Sequence, residues 1–215
     1  MKADKNMEML KELDSLAIRE KKEYTSLPST AEWKPIFCLT GIMDEEVFYV
    51  APFKKSVPAI ETLSAGKSYT LHVLDKKGKQ VLYYQKKIGF FRDEMEVSGE
   101  SENFLGLVKK IKIKTKAKQP VMYRYQILNA AGQEMYEVRE HLNDPEIFHI
   151  YKANEVTGKI SKRPTSTVEE GIMKHDHFGI VFPFNADVAG KAVLIGALFL
   201  IDFLFLGPTQ IERKK

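Results

Sequence analysis

The sequence predicts a mainly β protein: a single closed antiparallel barrel of about twelve strands around a hydrophobic C-terminal helix, with an amphipathic helix at the N-terminus. Three observations carry this reading. Residues 35–183 break into short alternating runs bounded by turn residues, a texture of strands rather than helices. Two hairpin segments repeat at an offset of 54 residues. Residues 188–206, VAGKAVLIGALFLIDFLFL, are apolar almost all round and need apolar surroundings on every side.

At the N-terminus, Met7, Leu10, Leu13, Leu16, Ala17 and Ile18 recur at helical spacing among charged residues, which reads as an amphipathic helix that packs on the domain or on a protein partner. Residues 1–30 are therefore taken as this helix and a linker, 31–208 as the barrel domain with its central helix at 188–206, and 209–215 as a basic tail. The strand candidates are PIFCLT, EVFYVA, SYTLHVLD, QVLYYQ, DEMEVS, FLGLVKKIKIKTK, VMYRYQIL, EMYEVRE, EIFHIYK, VTGKISK and FGIVFP. So many strands exceed what a small open sheet holds. The repeat pairs His72-Val-Leu-Asp75-Lys-Lys-Gly78-Lys-Gln80-Val81 with Gln126-Ile-Leu-Asn129-Ala-Ala-Gly132-Gln-Glu134-Met135, each a hairpin with Asp or Asn opening the turn and Gly placed for positive φ. Residues 151–162, YKANEVTGKISK, form a looser third copy. Such a meander closes into a barrel, which removes the exposed edges that invite aggregation.

The apolar run tests two alternatives. At ~1.5 Å per residue a helix over 188–206 is about 28 Å long, close to a ~30 Å hydrocarbon layer. Asp202 argues for burial in protein, because a carboxylate deep in lipid costs roughly 2.5–3.5 kcal/mol and Lys191 is three turns away. The uninterrupted apolar stretch is then Ala192–Ile201, ten residues, nearer to a core helix than to a span. A tail-anchored protein is the alternative, since IERKK follows the run.

Composition narrows the function classes. With 215 residues and 44% hydrophobic content the chain can bury a substantial core. Its single cysteine, Cys38, forms no internal disulfide and no zinc cluster, which favours a reducing, cytoplasmic compartment. The N-terminus MKADKNMEMLKELD lacks the apolar core of a signal peptide. A net charge of +4 is mild, so attraction to phosphate has to come from clustering. No nucleophile elbow, phosphate loop, HExxH motif or recognisable carboxylate pair occurs, and the chain does not read as an enzyme.

Clustering occurs at Lys109, Lys110, Lys112, Lys114, Lys116 and Lys118, six lysines in ten residues. From Lys110 onward they alternate with Ile111, Ile113, Thr115 and Ala117, so a strand turns lysines to one face and the isoleucines to the core. This stripe is either a solvated, aggregation-resistant face or a site for lipid headgroups or another polyanion, widened by Lys54, Lys55, Lys86 and Lys87. The stripe carries no interleaved aromatics, which ranks nucleic acid below anionic phospholipid as its partner; a module for nucleic acid or protein is the alternative from another class. His175, Asp176 and His177 suggest a metal site at first sight, but no further His or Cys supports them and they read as structural.

Val156-Thr-Gly-Lys-Ile-Ser-Lys162, His177-Phe-Gly-Ile-Val-Phe-Pro183, Asp187-Val188 leading into Lys191-Ala-Val-Leu-Ile-Gly196, and Phe199-Leu-Ile-Asp-Phe203 resemble the C-terminal signature of the phospholipid scramblase family. Upstream the resemblance rests on YTLHVLDKKG, on Leu105-Gly106-Leu107-Val108 and on the second hairpin. That family is related in fold to the tubby C-terminal domain and to LURP-one-related proteins. The resemblance implies a barrel of about twelve strands around a hydrophobic helix, association with membrane lipid and, in eukaryotic members, calcium-dependent exchange of phospholipid between leaflets; a cytoplasmic protein with peripheral membrane association is expected. The family's proposed calcium segment aligns with residues 174–185, where Lys174 and Asn185 replace its first and last acidic residues. Asp176 alone keeps a carboxylate, so the resemblance implies at most weak calcium binding there and no other cofactor.

Overall fold

A computed structural model describes residues 7–20, 35, 37–52, 68–88, 93–100, 102–113, 122–162 and 177–206. The strands are β1 (Ser15–Glu20), β2 (Phe37–Thr40), β3 (Glu46–Pro52), β4 (Tyr69–Leu74), β5 (Gln80–Ile88), β6 (Asp93–Gly99), β7 (Phe104–Ile113), β8 (Met122–Asn129), β9 (Glu134–His141), β10 (Asp144–Lys152), β11 (Glu155–Lys162) and β12 (Phe178–Val181). One helix follows, α1 (Val188–Leu206). The strands close in the order β1-β12-β11-β10-β9-β8-β7-β6-β5-β4-β3-β2, with every neighbouring pair antiparallel. Alternation decides which face turns inward. On β6, Met95 and Val97 are buried while the alternating Glu94 and Glu96 stay half-exposed on the outside.

The repeated hairpins share one turn geometry. Asp75 Oδ1 accepts the N–H groups of Lys77 and Lys79 at 2.8 and 2.9 Å, and Asn129 Oδ1 accepts those of Ala131 and Gln133 at 3.0 and 2.9 Å. Gly78 and Gly132 sit at φ 79° and 78°, a region where a Cβ is disfavoured. The third hairpin turns instead through Ala153 and Asn154, both at positive φ, the two-residue connection that matches strand twist.

The amphipathic N-terminal helix expected over Met7–Ile18 is corrected by the structure. Only Glu8–Glu12 forms a short 3-10 turn, and the chain then enters β1. Leu16 and Ile18 alternate with Ala17 and Arg19, a period of two hidden inside the helical spacing. β1 pairs with β12 through Leu16↔Ile180 and with β2 through Ile18↔Leu39, so both of its edges are hydrogen-bonded. A helix there leaves two sheet edges open, and closure of the barrel outweighs local periodicity.

α1 threads the lumen. Ala192–Phe199 face strands on all sides and are all buried. Tyr84 donates its hydroxyl to the carbonyl of Ala192 at 2.8 Å, and its ring meets Phe199 edge-on at 5.2 Å. Near the end of α1, Phe203 packs between Phe37 and Tyr69 with ring centroids 5.6 and 5.4 Å away. The two ends of the barrel differ. At one end, where α1 begins, β2–β3, β4–β5, β6–β7, β8–β9 and β10–β11 are joined by tight turns. We call this the turn end, and the opposite end, where α1 finishes, the exit end.

Gly106 of β7 lies tight against both β8 and the helix: an added Cβ would stand 2.2 Å from the Leu128 carbonyl oxygen and 2.8 Å from Val193 Cγ2. Gly106→Ala is expected to destabilise the protein by about 1–3 kcal/mol, read in calorimetry as a Tm lower by roughly 3–10 °C. An unchanged Tm contradicts this helix position.

Candidate functional site

β7 carries the first lysines of the basic stripe to the exit end. Its register sets Lys110 opposite Asp93 of β6 and Tyr125 of β8, and Lys109 opposite Glu94 and Gln126. Lys110 shares its face with Gly106 and Val108, which contact α1, so it turns toward the lumen and not outward. Its ammonium sits 3.1 Å from Asp93 Oδ2 and 4.4 Å above the Tyr123 ring, with the side chain 14% exposed. Ile111, expected in the core, stands half-exposed on the outer face opposite Arg124. The reason lies upstream: Gly106 and Val108 fix the inward parity against the helix, and each later residue inherits it. Lys109 is half-exposed on the outside. Lys112 is described by its backbone, paired with Tyr123, while Lys114, Lys116 and Lys118 lie outside the described residues. Lys54 and Lys55 do so too.

A second lysine joins Lys110 at the inner rim. Lys86 follows Leu82 and Tyr84 on the inward face of β5 and is 3% exposed, with its ammonium 5.5 Å from the Tyr69 ring centroid. Burial lowers its pKa below the ordinary lysine value, Asp93 opposes that shift and Lys110 adds to it. Lys87, the next residue, faces out and pairs with Glu96 at 2.6 Å. Tyr69, beside this cluster, has a hydroxyl whose pKa is pushed well up, first by burial and then by the carboxylates of Asp93 and Asp202. The exit end therefore gathers two ammonium groups, one carboxylate and two tyrosine rings around the last turns of α1. Strand parity counted from Tyr84 on β5 and from Met95 on β6 would have placed Lys86 and Asp93 here; reading the lysines of β7 in isolation conceals it.

Asp202, the one carboxylate of α1, is held by the start of β12. Its Oδ1 accepts the Phe178 N–H at 2.7 Å, and its Oδ2 lies 3.0 Å from His177 Nδ1, with both side chains almost fully buried. The His177 ring also meets Phe37 edge-on at 5.5 Å. Sequence reasoning left Asp202 without a partner because His177 is 25 residues away. Asp176 and His175 lie outside the described residues. Near the start of α1, Lys191 donates to the carbonyls of Lys11 and Leu13 at 2.9 and 2.7 Å, which ties the N-terminal 3-10 turn to the helix. Burial lowers its pKa, against the opposing pull of Asp14 and Glu12.

The Scramblase family model matches residues 1–207. The chain belongs to the phospholipid scramblase family. It is 25% identical over 224 residues to phospholipid scramblase 1 of Mus musculus, covering 97% of this chain and 66% of that protein. Phospholipid scramblase 1 of Homo sapiens is 24% identical, with 97% and 68% covered, and phospholipid scramblase family member 5 of Homo sapiens is 24% identical, with 93% and 76% covered. The chain thus spans about two thirds of the length of the first of these relatives. No solved structure matches it. Among the described residues of this scramblase-family chain, no helix is long and apolar enough to cross a membrane.

Two substitutions probe these inner contacts. Asp202→Ala removes the carboxylate that the Phe178 N–H and His177 Nδ1 meet inside the barrel and is expected to cost about 3–5 kcal/mol, a Tm loss greater than about 6 °C, with Asp202→Asn losing less. Equal Tm values for Asp202→Ala and the parent rule out this anchoring. Lys86 behaves oppositely. Because its pKa is lower folded than unfolded, the buried ammonium opposes folding at neutral pH, and the penalty fades as pH rises toward the ordinary value of 10.5. Lys86→Met is therefore expected to raise Tm at pH 7 and to raise it less at pH 10; a loss at pH 7 shows that pairing outweighs desolvation.

Proposed function

We propose that the protein associates peripherally with membrane phospholipid from the cytoplasmic side, and that the lysine-rich segment beginning on β7 attracts anionic headgroups. The observation that carries the reading is the concentration of six lysines in residues 109–118 of a scramblase-family chain, starting where β7 reaches the exit end. Near an anionic surface each lysine contributes about 1 kcal/mol, so several together give real binding that salt weakens. The contact is electrostatic and involves no covalent chemistry. Inside the barrel, Ala192–Phe199 fill the lumen, so a headgroup has no path through it while α1 is in place. Exchange of lipid between leaflets is accordingly a weaker reading than lipid attachment.

Flotation with vesicles of phosphatidylcholine, with and without phosphatidylserine, tests this. Binding to the anionic vesicles is expected to exceed binding to the neutral ones, and the excess to shrink between about 0.05 and 0.5 M salt as the Debye length falls from roughly 14 to 4 Å. In the variant Lys109→Gln, Lys114→Gln, Lys116→Gln, Lys118→Gln the excess should vanish with Tm unchanged. If the variant keeps the full excess, the lysines are a solvated face and headgroup attraction lies elsewhere.

A further inference from the structure

Large apolar side chains left exposed are concentrated at the turn end. Among the described residues eight are exposed, and Leu142 on the β9–β10 turn is the one that lies at the exit end. Phe184 between β12 and α1 is 95% exposed, and Met43 and Ile42 at the tip of the β2–β3 turn are 84% and 79% exposed. Only β1 separates β2 from β12 in the barrel, so these tips are neighbours on the rim. Met9 of the 3-10 turn lies just ahead of β1, while Val156 and Val181, on β11 and β12, extend the same arc. Phe104 stands apart on β7.

The tips are held out rather than left loose. Asp44 is at φ 60° and paired with Arg19 at 2.8 Å, Glu45 accepts the Met43 N–H at 3.0 Å, and the Gly41 N–H bonds to the Glu45 carbonyl at 2.9 Å. On the other side the Phe182 N–H bonds to the Asp14 carbonyl at 2.9 Å, and Asp187 Oδ1 accepts the Gly190 N–H at 2.7 Å, fixing the segment that carries Phe184.

We infer that this arc of the turn end, Phe184 with Ile42 and Met43 at its centre, inserts into the interfacial layer of a phospholipid bilayer. The inference rests on the phospholipid association proposed above and adds a second surface to it. Two features select a bilayer over a folded protein as the occupant. The side chains sit on separate projecting turns rather than in a groove, so the occupant has to flow around them, and an aromatic ring beside a methionine suits the boundary between headgroups and acyl chains. The surrounding charges are mixed, with exposed Lys11 and Lys152 beside Glu8, Glu12 and Glu155, so insertion is apolar in origin and does not depend on anionic lipid. The arc is centred on β1, and β7 lies six strands away in the closed order.

Phe184→Trp, compared with the parent and its single Trp33, reports on insertion. On neutral phosphatidylcholine vesicles its added emission should shift to the blue and be quenched by bromine placed high on the acyl chains, at low and high salt alike. The variant Ile42→Asp, Met43→Asp, Phe184→Asp changes only exposed positions and should keep its Tm while losing neutral-vesicle partitioning by at least about tenfold. The lysine-to-glutamine variant should keep it. Unshifted emission from a protein that still floats with anionic vesicles overturns the rim and leaves headgroup attraction standing. A parent that floats with neither kind of vesicle overturns both.

Discussion

A 19-residue helix that is apolar on nearly every face can exist in water only if something surrounds it, and the whole barrel answers that requirement. Twelve strands enclose a lumen wider than strand side chains alone can fill, and α1 supplies the missing volume. Each part covers the other: α1 fills the sheet, and the sheet shields Leu194, Leu198, Phe199 and Ile201 from water. Position along the axis is set by contacts that are specific rather than merely greasy. Gly106 admits the helix at one level, the Tyr84 hydroxyl reaches the Ala192 carbonyl, and Asp202 is received by His177 and the Phe178 N–H. A carboxylate on a buried helix is costly in isolation, yet it can register the helix when partners are in place to meet it.

Antiparallel meandering gives the two ends different characters. Tight turns gather at the start of α1, where backbone hydrogen bonds hold apolar tips outward. The exit end carries Lys86, Asp93 and Lys110 at the inner edge of the wall, with Tyr69 and Tyr123 beside them. Charge clusters around the finish of the helix, while exposed apolar surface clusters around its start. The two ends therefore differ in chemistry, with a charged inner rim at the exit end and exposed apolar tips at the turn end.

Much of this was legible in the sequence, and the reasons are local. Alternation in DEMEVS and the Asp-x-x-Gly and Asn-x-x-Gly turns of the repeated hairpins specify strands and connections within a few residues of one another. The helix announces itself by an apolar run that no strand length accommodates. What stayed hidden depends on distant partners. β1 carries a helical period and a strand period at once, and only the need to bridge β12 and β2 chooses between them. The lysines of β7 alternate correctly, but their face is decided by Gly106 and Val108 against α1, which turns Lys110 inward and Ile111 outward. The partner of Asp202 is fixed by where β12 begins, a relation between two elements that neither segment contains alone.

The account stands on α1 lying inside the barrel, whether or not lipid is present. The most direct measurement is the nuclear Overhauser effect between the ring protons of Tyr84 and Phe199, whose centroids are 5.2 Å apart, recorded in aqueous buffer and again with phospholipid nanodiscs. The expected result is the same cross-peak in both conditions. Loss of the cross-peak with nanodiscs, together with contacts from Phe199 to acyl-chain protons, would contradict the account by showing that the helix leaves the barrel for the bilayer.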